Sequence, residues 1–329
     1  MSQDVRSYFE EKVIPLVAGR YPEVMPEMII RVDGSAGLGL QDEWSDLDAF
    51  IYLPRDLWRT HGGQLQLSLV HDLPAFSPRS VPHCECPGDP FSWSVYGHPE
   101  VNVHPWDELL CGRAEAVLAG QEEVPWEQVS IEELFELQED LVLTDPRGVH
   151  ARLREAAAPQ RYPEPLWQKH LIGELAALKG EPWDLEKAAL RGKGLEAAMT
   201  LGPLLIGLLH AGFLINRQYY PYRKYLDRYF RKLPGAAQGA GPHLDVIASA
   251  ADWVDKAAAV NRIIRILTQE ALDRGALSTE MFEYLLDARS GKAWLDPGWL
   301  NASEARREQA REAGYDPLDG WIWGWWGWE

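Results

Sequence analysis

Arg31–Leu53, RVDGSAGLGLQDEWSDLDAFIYL, decides how this chain is read. The apolar run Met28-Ile29-Ile30 enters a turn at Gly34-Ser35, and a small, glycine-containing stretch follows. Ser45-Asp46-Leu47-Asp48 then leads into a second strand-like run, Ala49 to Leu53. Strand side chains alternate with period two, so Asp46 and Asp48 are expected on one face. Like charges on one face repel unless a cation or a shared proton neutralises them. Gly34 and Ser35 offer backbone N–H groups and a hydroxyl to a phosphate. Together these residues predict a metal-dependent nucleotide site.

The rest of the chain sets the frame. Its 329 residues are enough for two domains, each with its own core. A hydrophobic fraction of 46% and a charged fraction of 25% are ordinary for a globular protein. Lys and Arg number 32 against 50 Asp and Glu, a net charge of −18, which disfavours a protein that coats nucleic acid. Cys84, Cys86 and Cys111 are too few and oddly numbered for a disulfide framework, and point to a reducing compartment. His83-Cys84-Glu85-Cys86 lacks a second ligand pair at zinc-finger spacing and reads as ordinary strand or loop. The N-terminal MSQDVRSYFEEKV has no apolar core of a signal peptide. Leu201–Ile215, the longest apolar stretch, is interrupted by His210 and reads as too short to cross a bilayer. A cytoplasmic protein with no membrane partner is the expectation.

Along the chain, Val5–Gly19 carries apolar residues at helical spacing, and Asp56–Val70 is a weakly amphipathic helix. Phe91–Tyr96 and Pro99–His104 read as a hairpin across Gly97-His98. In its second strand Val101 and Val103 face one way while Glu100, Asn102 and His104 face the other, an odd polar face for a core strand. It makes sense if that face looks onto Asp46 and Asp48. From about Trp106 onward helical spacing takes over: Glu127–Asp140, Trp167–Lys179, Gly194–Asn216, Tyr222–Lys232, Leu244–Val254, Ala257–Arg274 and Thr279–Arg289. The expected class is α+β, a small mixed-sheet head over residues 1–125 followed by an all-helical domain over 126–329. The break is expected between Gly120 and Ser130. The last nine residues, Trp321–Glu329, hold five tryptophans and are expected to pack on their own domain or on a second copy of the chain.

Gly34-Ser35, a spacer, then Ser45-Asp46-Leu47-Asp48 on a strand resembles the signature of the nucleotidyltransferase superfamily related to DNA polymerase β. The resemblance implies that Gly34, Ser35 and Ser45 bind nucleotide and that Asp46 and Asp48 ligate metal. It also implies a third carboxylate from a neighbouring strand. Pro99-Glu100-Val101-Asn102-Val103 looks like the corresponding segment of aminoglycoside adenylyltransferases, whose glutamate is the general base, so Glu100 takes that role and that of third metal ligand. Two Mg2+ ions, ATP or another nucleoside triphosphate, and a small-molecule hydroxyl as acceptor follow from the same resemblance. The chemistry needs such groups independently, because transfer builds charge on phosphoryl oxygens and a neutral hydroxyl needs a base.

A basic, tyrosine-rich stretch, Asn216-Arg217-Gln218-Tyr219-Tyr220-Pro221-Tyr222-Arg223-Lys224-Tyr225, follows the most apolar helix. It resembles a segment of the helical C-terminal domains of uncharacterised bacterial nucleotidyltransferase-like proteins. Read functionally, Arg223 or Lys224 meets the triphosphate and a tyrosine stacks on the base; read plainly, it is a solvated helix face. Three functions stay open: transfer to a small molecule, transfer to a protein or tRNA, and non-catalytic nucleotide binding.

Overall fold

Alternation in the two strands around Gly34-Ser35 builds the first layer of the structure, a computed structural model that describes residues 4–41, 45, 47–74, 76, 99–177 and 181–276. The chain divides into two compact units, Met1–Ala158 and Pro159–Glu329. The fold is α+β. His83, Cys84, Cys86, the Phe91–Tyr96 strand, the Thr279–Arg289 helix and the Trp-rich terminus expected from the sequence lie outside the described residues.

In the first unit four strands form one sheet in the order β3-β2-β1-β4: β1 is Ile29–Val32, β2 Leu47–Leu53, β3 Pro99–Pro105 and β4 Leu141–Thr144. β1 runs antiparallel to β2 and β4, and β2 runs parallel to β3. Leu47, Ala49, Ile51 and Leu53 join Ile30, Val32, Val101 and Val103 on one buried face. Against them pack Val13 and Val17 from a helical run over residues 5–20, and Leu65 and Leu69 from a second over 55–72. Each such buried side chain contributes about 1.5–3 kcal/mol. The first run carries Pro15, whose ring removes a backbone donor, and the turn before it widens to a π turn at Phe9–Val13. The second run also covers the exposed edge of β3. Gln66 donates to Val101 O at 2.9 Å and accepts from Val103 N–H at 2.7 Å, which satisfies two of that edge's backbone groups.

The division of the chain falls later than the sequence suggested. Residues 126–158 belong with the sheet, because β4 hydrogen-bonds to β1 and the helices Ile131–Glu139 and Val149–Ala156 flank it in sequence. Ser130 and Glu133 close the first of these helices with reciprocal capping bonds of 3.1 and 2.9 Å.

In the second unit Gly194–Ile215 is the central helix, packed against Glu164–Ala177, Glu181–Leu190 and Trp253–Asp273. By length and composition it would cross a membrane, with a mean hydropathy of 1.9 over its most apolar window, but 56% of that window is buried within the fold. It matches the expected helix Gly194–Asn216 to within one residue, and Gly194–Thr200 extend it beyond the apolar stretch Leu201–Ile215 that reads as too short to span a bilayer. Two other helices depart from expectation. Glu181–Leu190 is additional, and Leu244–Val254 is interrupted: one helix ends at Ser249 and the next starts at Trp253, capped by Asp252, whose carboxylate accepts from Val254 N–H at 2.8 Å.

Candidate functional site

The second face of the sheet is polar because the strands that bury Leu47, Ala49 and Ile51 on one side must present their alternate residues on the other. The register sets Asp48 beside Glu100, Phe50 beside Asn102 and Tyr52 beside His104 across β2 and β3, with Arg31 of β1 opposite Phe50. Two of the three expected carboxylates, Asp48 and Glu100, are therefore immediate cross-strand neighbours on one face. Asp48 is half-buried and Glu100 exposed. Asp46 lies outside the described residues, and Ser45 just before it is half-buried.

Gly34 and Ser35 open a single helical turn, Gly34–Gly37, directly after β1. Gly34 sits at φ +65°, a conformation that strains any side chain, and a Cβ on Gly37 would stand 2.0 Å from the Val32 carbonyl oxygen. The turn is tied to the sheet by Asp33 N–H, which donates to Asp48 O at 2.9 Å. Thus the backbone itself joins the turn to the strand that carries Asp48.

Beside this turn lies a cluster the sequence reading missed. Arg31, only 7% exposed, donates to Asp33 at 2.8 Å and lies 3.5 Å from Asp140. Its guanidinium also stands 5.3 Å and 5.6 Å from the ring centroids of Phe50 and Tyr52. Glu136 and Asp140, one helical turn apart, bring their carboxylates to Asp33; ligand oxygens of the three lie within 4.8 Å of one another. Asp33 Oδ1, Asp140 Oδ2 and Arg31 Nε are buried with no hydrogen-bond partner. Burial, then the charge of Asp33, raises the Asp140 carboxyl far above the usual carboxylate range. Burial and Asp33 likewise push Glu136 up to about 7. Three close carboxylates with one guanidinium can share a proton or take up a cation.

A cavity of about 210 Å³ opens on the same face, lined by Phe50, Tyr52 and His104 and by Glu108, Glu133 and Glu136, with Arg31 among its walls. Phe50 and Tyr52 lie nearly parallel at 6.0 Å between centroids, and His104 tilts toward both at 5.7 and 6.2 Å. His104 Nδ1 lies 3.0 Å from Glu108. Leu110, which also lines the cavity, adopts φ +53°, a left-handed conformation that costs a leucine about 1–2 kcal/mol.

Arg223 and Lys224 are in the second unit, exposed in a short 3-10 turn at Arg223–Tyr225, close to the rings of Tyr222 and Tyr225 at 5.5 and 5.0 Å respectively. The neighbouring basic residues are largely committed: Arg217 pairs with Glu164, and Arg231 with Asp227 and Asp245, both at 2.9 Å. Tyr219 is a core residue, stacked on Trp167 at 5.6 Å, and Tyr220 stacks on His210 at 3.7 Å. Tyr222 is exposed at 41%.

Residues 126–226 match the family described as a domain of unknown function, DUF4037. The matched segment supplies Glu136 and Asp140, and it runs past Arg223 and Lys224 to Leu226. No curated protein matches the chain.

Proposed function

We propose that the chain transfers a nucleoside monophosphate from ATP or another nucleoside triphosphate to a hydroxyl of a small molecule, releasing pyrophosphate. The observation that carries this reading is the register of Asp48 with Glu100 on the open sheet face, on a strand bonded through Asp33 to the Gly34–Ser35 turn. Carboxylate oxygens are the hard donors that magnesium prefers, and the pairing of Asp48 with Glu100 across adjacent strands supports this choice of ion. Asp46, Asp48 and Glu100 would hold it, and when bound it would neutralise charge developing on the phosphoryl oxygens and the leaving pyrophosphate. Gly34 and Ser35 would grip phosphate through N–H and hydroxyl. Glu100, solvent-accessible and one strand away, would accept the proton of the acceptor hydroxyl. A cytoplasmic location accords with the sparse cysteines and with the availability of nucleoside triphosphates there.

The test is incubation of the full chain with α-labelled triphosphates, Mg2+ and a panel of hydroxyl acceptors. Asp48→Asn and Glu100→Gln should each lower transfer by roughly 100-fold or more while the far-UV spectrum is retained. Transfer that is indifferent to both substitutions, or no transfer to any acceptor with the triphosphate still bound, would overturn the reading.

A further inference from the structure

The cavity on the open sheet face has a chemistry of its own. At about 210 Å³ it lies below the usual range of about 300–1,000 Å³ for pockets that hold drug-sized ligands, which suits a small group. Its walls combine three aromatic faces with three carboxylates. Arg31 is the basic wall residue, and its charge is already engaged by Asp33 at 2.8 Å. The glutamates therefore leave the cavity with surplus negative charge beside ring faces that already attract one guanidinium. An anion would meet Glu108, Glu133 and Glu136, and a neutral apolar ligand would bury them uncompensated. Arg31 Nε faces Asp140 Oδ2 at 3.5 Å, so the guanidinium in this wall is turned toward the buried carboxyls and not toward an incoming ligand.

We infer that this cavity binds a small organic cation, an ammonium or guanidinium group held by Glu108, Glu133 and Glu136 against Phe50, Tyr52 and His104. Taking that cation to be the charged end of the acceptor rests on the nucleotidyl-transfer reading; the cation site itself does not. Binding should strengthen with pH. Glu136, pushed up to about 7, faces Arg31 from β1, Asp33 at the start of the Gly34–Gly37 turn, Tyr52 from β2, and Glu132, Glu133 and Asp140 along its own helix and cap. A bound cation favours its ionised form, so cation uptake releases a proton below neutrality.

The experiment is calorimetric titration of the full chain with putrescine, agmatine and choline, with acetate and Mg2+ as comparisons, at pH 6 and pH 8. At least one organic cation should bind with a dissociation constant below about 1 mM, more tightly at pH 8. Glu136→Gln should weaken it roughly 10-fold and remove the pH dependence. Glu108→Gln, at an exposed position, should weaken it without touching the buried cluster, which keeps the test decisive if Glu136→Gln does not fold. Glu186→Gln, in the second unit, should change nothing. The inference fails if no organic cation binds, if acetate competes for the site, if only Mg2+ binds, or if both glutamate substitutions leave affinity unchanged. Cation binding without nucleotidyl transfer would leave this site standing and overturn the proposed function. Transfer with no cation bound would do the reverse.

Discussion

Asp140→Asn should make the first unit more stable at neutral pH, although it removes a buried charge-bearing group. Asp140 is 3% exposed, and its carboxyl is raised by burial and by Asp33 until it keeps a proton in the folded chain at pH 7. Unfolded, the same group has a pKa of 3.8 and gives that proton up. A carboxyl whose folded pKa is raised favours the fold fully below the unfolded value and loses that advantage as pH rises toward the folded one. Each pH unit in that window costs about 1.4 kcal/mol, so the cost accumulated by pH 7 approaches about 4 kcal/mol. Asparagine has no proton to release, and its amide can donate to Asp33 as the protonated carboxyl does. Imperfect satisfaction of a buried amide returns about 1–3 kcal/mol of loss at every pH, which leaves a net gain of roughly 2 kcal/mol at pH 7 that passes through zero near about pH 5 and becomes a loss by about pH 4. Because two units can unfold separately, the readout is urea-dependent hydrogen exchange at the amides of β1 and β2, at pH 4.5, 5.5 and 7. A variant less stable than the parent at pH 7, or a difference that does not change with pH, would refute the protonated carboxyl.

Three further outcomes follow from the same geometry. Arg31→Met removes the counter-charge of Asp33 and should cost the first unit about 3–5 kcal/mol; a loss under about 1 kcal/mol in the same exchange measurement would mean that Arg31 is not the partner that matters. Gly37→Ala forces a methyl against the Val32 carbonyl at 2.0 Å and should cost about 2–4 kcal/mol in a thermal melt, whereas Gly39→Ala, with open space around its Cβ but φ +66°, should cost only about 1 kcal/mol. His150, 1% exposed, is lowered from 6.5 to about 4 by burial first and by Arg154 and Arg31 next. It stays neutral in the fold while the unfolded chain takes up a proton, so acidification from pH 6.5 to 4 removes about 3 kcal/mol of stability, and His150→Leu should flatten that part of the pH profile relative to the parent.

Which parts of this were legible in the sequence depends on the distance over which each signal acts. Period-two alternation is local, so β2 and the polar face of Glu100, Asn102 and His104 could be read directly, as could the helical runs near 5–20 and 55–72. The pairing of β3 alongside β2 is not local, and the expected hairpin partner told nothing about it. The late division of the chain was hidden for a related reason. Leu141-Val142-Leu143-Thr144 is only four residues long, sits between two helices, and gains its stability from hydrogen bonds to β1 more than a hundred positions earlier. With that strand absorbed into a helical half, nothing tied Glu136 and Asp140, inside the expected helix 127–140, to the sheet. The available signal was their spacing of four beside the apolar Leu134 and Leu137, which puts two carboxylates close to the buried stripe of a helix.

The sheet's two faces then make unequal demands on stability. One is filled by aliphatic side chains that contribute wherever they are buried. The other holds Arg31, Asp33, Glu136 and Asp140 with several polar atoms unpartnered, an arrangement in which apolar residues of similar volume would usually be as stable or more so. A cluster that raises two carboxyl pKa values and costs stability at pH 7 has the character of a working site rather than of a structural brace. Asp140→Asn separates the two descriptions. In a structural brace, the variant would lose stability and leave cation binding alone. In a working site, it would gain stability at neutral pH and, with the charge field around Glu136 altered, shift the pH at which the neighbouring cavity takes up its cation.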